Sequence, residues 1–304
     1  MKKANIITPI VALSAVASWL FINSTEPSPK RDKDPQTTPH VTNLPPMPEE
    51  LSFCGEEVPL HRNDVWEALD REILTNTFWH TNTQLAIKRS GRFFPIIEPI
   101  LKEEGIPDDF KYLCVAESNL MPTAKSPAGA VGLWQILEGT GRELNLEVNK
   151  DIDERYNIIK STHAACQYLK KSYATLGSWP LVAAAYNGGQ NRVLRNMSTQ
   201  KQNSFYDILW TEETARYPFR IMALKLIMEN PSDYGFNIGK KDLYKPYETY
   251  TVTIDTTIND LAQFAIDNNT TYKMLKVLNP WMRQNIMPNK SRRNYVITLP
   301  KKDK

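Results

Sequence analysis

Glu117-Ser118-Asn119-Leu120, continued by Ala124-Lys125-Ser126-Pro127-Ala128-Gly129-Ala130-Val131-Gly132-Leu133-Trp134-Gln135, is the stretch from which the rest of the chain is read. A helix is expected to begin after Pro107 with Asp108 or Asp109 as its cap, and Phe110, Leu113, Cys114 and Glu117 then share one face at helical spacing. A carboxylate on a buried stripe near a helix C-terminus is disfavoured as an anion by desolvation and by the helix dipole, so its pKa rises. That makes Glu117 a general acid in waiting. Gly129 and Gly132 let backbone come close to a ligand, and Gln135 adds a neutral hydrogen-bonding amide, so the segment reads as the lip of a cleft. No Asp or Glu stands between Glu117 and Glu138. Glycosidases ordinarily flank the scissile bond with two carboxylates, so the missing second acid points to a one-carboxylate mechanism.

Outward from this stretch, residues 51–235 show helical periodicity, for example Ile158, Thr162, Ala165, Cys166, Leu169, Tyr173 and Leu176, with stops at Gly105-Ile106-Pro107, Gly177, Gly188-Gly189 and Pro231. After Asp242 the pattern changes. Tyr250-Thr251-Val252-Thr253-Ile254 and Tyr295-Val296-Ile297-Thr298-Leu299 are β-branched and aromatic, and they flank two short helical segments at about residues 257–265 and 271–278, each opened by a threonine. The fold class is mainly α with a small β-α-α-β module.

At the N-terminus, Lys2 and Lys3 precede an uncharged stretch over residues 6–22 with Ala15-Val16-Ala17 inside it, the pattern of an export signal that is either cut or kept as an anchor. Residues 23–50 carry seven prolines, Pro27, Pro29, Pro35, Pro39, Pro45, Pro46 and Pro48, and read as a semi-extended linker that would tether a folded domain to the membrane if the anchor is kept. The domains are thus 1–22 signal or anchor, 23–50 linker, 51–240 helical domain whose motif-bearing part is at about 94–217, and 245–302 terminal module.

With 304 residues, 41% hydrophobic and 23% charged, the chain can bury about two domains, and a net charge of +3 is too small to point to nucleic acid, so no nucleic-acid partner is expected. Cys54, Cys114 and Cys166 allow at most one internal bridge, and Cys114 and Cys166 sit at apolar helical positions, where a buried free thiol is the ordinary reading. The four histidines are scattered, so neither a metal nor a cofactor is expected.

The ordered motifs Glu117-Ser118, Ala124-x-Ser126-x-x-Gly129-Ala130-x-Gly132-Leu133-Trp134-Gln135 and Ala185-Tyr186-Asn187, with Asp153-Glu154-Arg155 and Tyr168-Leu169-Lys170 in support, resemble the family 1 lytic transglycosylases, whose catalytic unit is the SLT domain. Within that family the membrane-bound murein enzymes are nearest. The resemblance implies a lysozyme-like fold, related to goose-type lysozyme, acting in the cell envelope on peptidoglycan glycan strands, as a monomer. It implies cleavage of the bond between N-acetylmuramic acid and N-acetylglucosamine, with Glu117 as acid and then base. It also implies that Ser126, Gly132 and Gln135 belong to the substrate cleft, that Tyr186 lies close to the acid with Asn187 in the same motif, and that Trp134 stacks on a sugar. Glu213-Thr214-x-Arg216-Tyr217 resembles a further family segment, in which Glu213 orients substrate or tunes Glu117, although Arg216 stands one place later than usual.

The terminal module resembles a LysM glycan-binding domain, with Asp255-Thr256 where the family has Gly-Asp, so glycan binding and a structural role are both open for it. The rival readings are a hydrolytic muramidase of the same fold and a non-catalytic peptidoglycan-binding protein.

Overall fold

Helix α1 (Asn63–Phe78) and helix α2 (His80–Glu103) follow one another with only Trp79 between them, and a small hairpin of β1 (Ser52–Phe53) and β2 (Glu56–Glu57) precedes them. That hairpin sits in a region whose sequence has no alternating pattern, because two-residue strands are too short to show one. A computed structural model describes residues 43–301. The signal or anchor segment at residues 1–22 and the first part of the proline-rich linker lie outside the described residues, and among those described no helix is long and apolar enough to cross a membrane. Pro45 is buried and Met47 packs against the main core, so the last part of the proline-rich segment lies on the folded body.

The body continues with α3 (Phe110–Ser118), α4 (Glu138–Glu143), α5 (Ile158–Leu176), α6 (Trp179–Gly188), α7 (Gln190–Gln200) and α8 (Glu212–Glu229). Helix α6 is its centre, since Leu181, Val182, Ala183, Ala184 and Ala185 are all fully buried. A helix apolar on every side must be surrounded, and α5, α7 and α8 all pack on it. Pro180 sits in its first turn and Gly189, at φ +86°, ends it. Helix α5 has the expected span, capped by Asn157 at one end and by left-handed Gly177 at the other. All three cysteines are free, with Cys114 and Cys166 buried in the core.

Helix α3 starts directly after Asp109, one of the two caps expected. Asp109 precedes it but makes no side-chain cap bond. Its carboxylate is taken by the Cys54 amide at 2.7 Å and by Lys225 Nζ at 2.8 Å, an ion pair that outcompetes a local cap.

The terminal module is built from β3 (Thr249–Ile254), α9 (Leu261–Asp267), α10 (Tyr272–Leu278) and β4 (Tyr295–Pro300), with β3 and β4 antiparallel and Val252 opposite Ile297. Thr271 caps α10 as the sequence predicts. Asp260, rather than Thr257, caps α9, because Thr257 Oγ1 accepts the amide of Asn289 at 2.9 Å. Across the altered loop, Asp255 pairs with Arg292 at 2.6 Å.

From Leu44 onward the described chain is one compact unit, and the module is docked on the body. Leu261, Leu275, Trp281, Met282, Ile297 and Leu299 form a second core that also contains Val131, Ile152 and Tyr156 of the body. Backbone bonds stitch the seam: Asp153 N–H donates to Trp281 O at 2.9 Å and Arg283 N–H to Asp151 O at 2.8 Å.

Candidate active site

The cleft, about 330 Å³, lies between the α1–α2 junction, the C-terminal end of α3, the lip and α8. Glu117, Ser126 and Gln135 line it together with Asn76, Trp79 and Arg220, and Glu117 is the one carboxylate among the described residues that do so.

Glu117 is half-buried on the last turn of α3, which ends in left-handed Asn119 at φ +51°. Burial pushes its carboxyl up to about 7 against an ordinary 4.5, with a further upward push from the Glu213 charge. Two α8 side chains oppose the rise: the Tyr217 hydroxyl, which donates to Glu117 Oε1, and the Arg220 charge. A carboxyl balanced near neutrality can both give and take a proton at physiological pH.

Glu213, Tyr217, Arg220 and Leu224 are spaced to lie on one stripe of α8, and that stripe faces the acid. Arg220 holds Glu213 through a forked contact at 2.9 and 3.3 Å. Arg216 points elsewhere, donating from Nε to the fully buried Glu72 at 2.6 Å. The out-of-place arginine of the sequence therefore belongs to the α1–α8 packing. Tyr217, quoted in the motif but given no role, is the direct partner of the acid. The i, i+4, i+7 spacing from Glu213 was the signal that could have found it, together with Arg220.

The lip is a folded loop with its own framework. Ser126 Oγ accepts the Ala130 amide at 3.1 Å, and Val131 pairs with both Lys125 and Ile136. Gln135 takes a left-handed φ of +47°, a costly conformation for a side-chain-bearing residue, and its amide donates to Gly132 O at 2.9 Å and Ala124 O at 3.3 Å. Arg155, itself paired with Asp153, donates to the carbonyls of Gly129 and Ile136 at 3.2 and 3.1 Å.

Several expected cleft residues act from behind. Gly132, at φ +79°, has no room for a side chain, since a Cβ there would lie 2.2 Å from Arg155 O, so it serves close backbone packing and does not face a ligand. Trp134 is fully buried, and its indole N–H donates to Thr162 at 2.9 Å, so it is core and not a sugar platform. Tyr186 donates to Trp134 O at 2.7 Å and meets Tyr168 edge-on, so it props the lip from below. Asn187 Oδ1 accepts from Thr214 at 3.3 Å and joins the end of α6 to the start of α8. Glu213 is exposed and reaches Glu117 only through charge and through Arg220.

A lone half-buried carboxyl on a helix end, set against a glycine-containing lip in a mainly helical body, defines the class: residues 94–209 match the Transglycosylase SLT domain, and residues 250–303 match the Soluble lytic transglycosylase C-terminal LysM-like domain. The chain thus carries a transglycosylase SLT domain followed by a LysM-like domain. It is 28% identical over 208 residues to the membrane-bound lytic murein transglycosylase D of Escherichia coli strain K12, covering 66% of this chain and 45% of that one. It is 27% identical over 204 residues to a putative tributyltin chloride resistance protein of Alteromonas sp. strain M-1, covering 65% and 94%. Among solved structures it is similar to the 70-kDa soluble lytic transglycosylase of Escherichia coli, with TM-score 0.40 and 20% identity over 51% of this chain and 27% of that one. The chain spans about half the length of the lytic murein transglycosylases D that it matches.

Proposed function

We propose that this protein is a peptidoglycan lytic transglycosylase of the cell envelope. The observation that carries the reading is a single carboxyl, raised to about 7, lining the cleft without a second acid. Protonated Glu117 gives its proton to the glycosidic oxygen between N-acetylmuramic acid and N-acetylglucosamine, and the C1–O bond breaks. The resulting carboxylate takes the proton of the muramic 6-hydroxyl, whose oxygen closes onto C1 as a 1,6-anhydro ring. No water enters, and Glu117 ends protonated as it began. The substrate's own hydroxyl replaces both the water and the second carboxylate, an intramolecular advantage that can reach roughly 7–11 kcal/mol. Tyr217 and Arg220 stabilise the carboxylate form between the two proton transfers, while burial restores the acid.

In this reading, residues 250–301 brace the lip. Their apolar docking on Val131, Ile152 and Tyr156, and the Asp255–Arg292 pair over the altered loop, support a structural role for the module. Residues 1–22 export the chain or anchor it, and the glycan strand is its partner.

The test is mass spectrometry of purified sacculi digested with the full chain. The expected products end in 1,6-anhydro-muramic acid, one water lighter than reducing ends. Reducing ends alone would make the enzyme a muramidase, and no released fragment would leave only a binding protein.

A further inference from the structure

Trp134 is the aromatic that the motif offers for sugar stacking, and it is sealed in the core. The cleft has another. Trp79, 61% exposed, lines the same space as Glu117, Ser126 and Gln135, and comes from the α1–α2 junction, outside the matched residues 94–209.

Its exposure is not that of a loose loop. The Trp79 N–H donates to Thr75 O at 3.1 Å and its carbonyl accepts from Thr83 N–H at 3.1 Å, so the single residue between two helices is tied to both. Thr83 Oγ1 adds a bond to Asn76 O at 2.5 Å across the same break. The backbone is fixed at φ −81° and ψ 56°, leaving an indole standing on a rigid mount. Asn82, which also lines the cleft, is anchored through the 2.7 Å bond that its Oδ1 accepts from Asn119, the residue ending the acid's helix. An exposed indole in a cleft that Asn76, Asn82, Asn119 and Gln135 also line, beside a general acid, suits an N-acetylated pyranose. Such a ring presents a C–H face to stack on an aromatic and an amide to hydrogen-bond beside it.

Building on the function proposed above, we infer that Trp79 is a substrate-binding residue that stacks a sugar ring of the glycan in the cleft. The energy comes from removing the indole face and the sugar's C–H face from water, and the fixed backbone means little ordering cost on binding. Trp79 takes no part in proton transfer, so its loss weakens binding and spares the chemical step.

The experiment uses the full chain and soluble N-acetylglucosamine–N-acetylmuramic acid oligomers. In the Glu117→Gln background, binding is titrated without turnover, and with Glu117 intact, KM and kcat are measured. Trp79→Ala should weaken Kd and raise KM by about ten-fold, with kcat within about two-fold, and Trp79→Phe should recover most of the affinity. Trp66→Ala is the control, since Trp66 is 42% exposed on α1 but does not line the cleft, and it should change neither constant. Unchanged Kd and KM in folded Trp79→Ala would overturn the inference, as would a fall in kcat alone or an equal effect of Trp66→Ala. Failure of the parent reading is separate: it shows as absence of cleavage and binding by the unsubstituted chain.

Discussion

The two faces of the lip are held by opposite chemistries. On the cleft side, Glu117 meets the Tyr217 hydroxyl and the Arg220 charge, and behind them Arg216 and Arg220 converge on Glu72, buried at 0% exposure. On the far side, Val131, Ile152 and Tyr156 meet the apolar residues of the terminal module, with charge carried by exposed and half-buried side chains: the Arg283 guanidinium lies 4.1 Å over the Tyr156 ring, and Arg293 and the Tyr295 hydroxyl meet Glu147 at 2.8 and 2.7 Å. A polar wall is adjustable, because each group shifts a proton equilibrium by a modest amount. A dry seam is not adjustable, because burying a charge in it costs several kcal/mol. The acid is therefore tuned from one side, and its setting held from the other.

The largest effect expected is at the acid. Glu117→Gln should lower cleavage on the order of 10³-fold, seen as loss of soluble product from sacculi. The same variant reports on the desolvation of the carboxyl. A raised folded pKa means that the carboxyl's favourable contribution is present below 4.5 and lost as pH rises through about 7. Glu117→Gln should therefore be more stable than the unsubstituted protein at pH 8, by about 2 kcal/mol in thermal or denaturant unfolding, and equal to it below pH 4.5. Equal stability throughout would mean that the carboxyl is better solvated than its position implies.

Next comes the seam. Met282→Asp places a charge where Met282 is fully buried against Ile152, and should cost about 3 kcal/mol or more. Because the lip shares that core, cleavage of short soluble fragments should fall as steeply as lysis of sacculi. If soluble fragments were cleaved normally while sacculi were not, the module would be a separate glycan-binding unit and the two faces of the lip would be independent.

Smaller and opposite in sign are two changes on the polar wall. Tyr217→Phe removes a bond that favours the carboxylate, so the alkaline limb of the pH–rate profile, set near 7, should move to higher pH, with a rate loss on the order of ten-fold. Glu213→Gln removes a charge that holds the acid up and releases Arg220, so the limb should move a few tenths of a pH unit the other way. Shifts of the same sign would show that the α8 stripe does not act on Glu117 through charge.

Much of this was legible in the sequence. Glu117 and the lip were, because helix stripe, glycines and missing second acid all lie within one contiguous stretch. The β-α-α-β order was, because β-branched strand residues contrast with the helical body. What escaped was set by distant partners. Asp109 was claimed by Lys225, 116 residues away, and so capped nothing. Trp134 sits in a motif where an aromatic reads as platform or core, and its complete burial and the bond to Thr162 separate them. Trp79 gave no signal, since nothing local says that a break between two helices will face an acid 38 positions later. The docking of the module was hidden for a related reason: the apolar residues that make it, Met282 and Ile152, read as ordinary core of their own segments.

That docking bears on how such a chain can be recombined. A sugar-binding cassette that moves freely between proteins has hydrophilic edges all round, so it can be spliced out without scar. Residues 250–301 have an oily underside whose complement is Val131, Ile152 and Tyr156. Grafted onto another scaffold, they would bring an adhesive patch with no counterpart, and their former host would be left with a matching one. In this chain, cutting between the two segments would expose apolar surface on both.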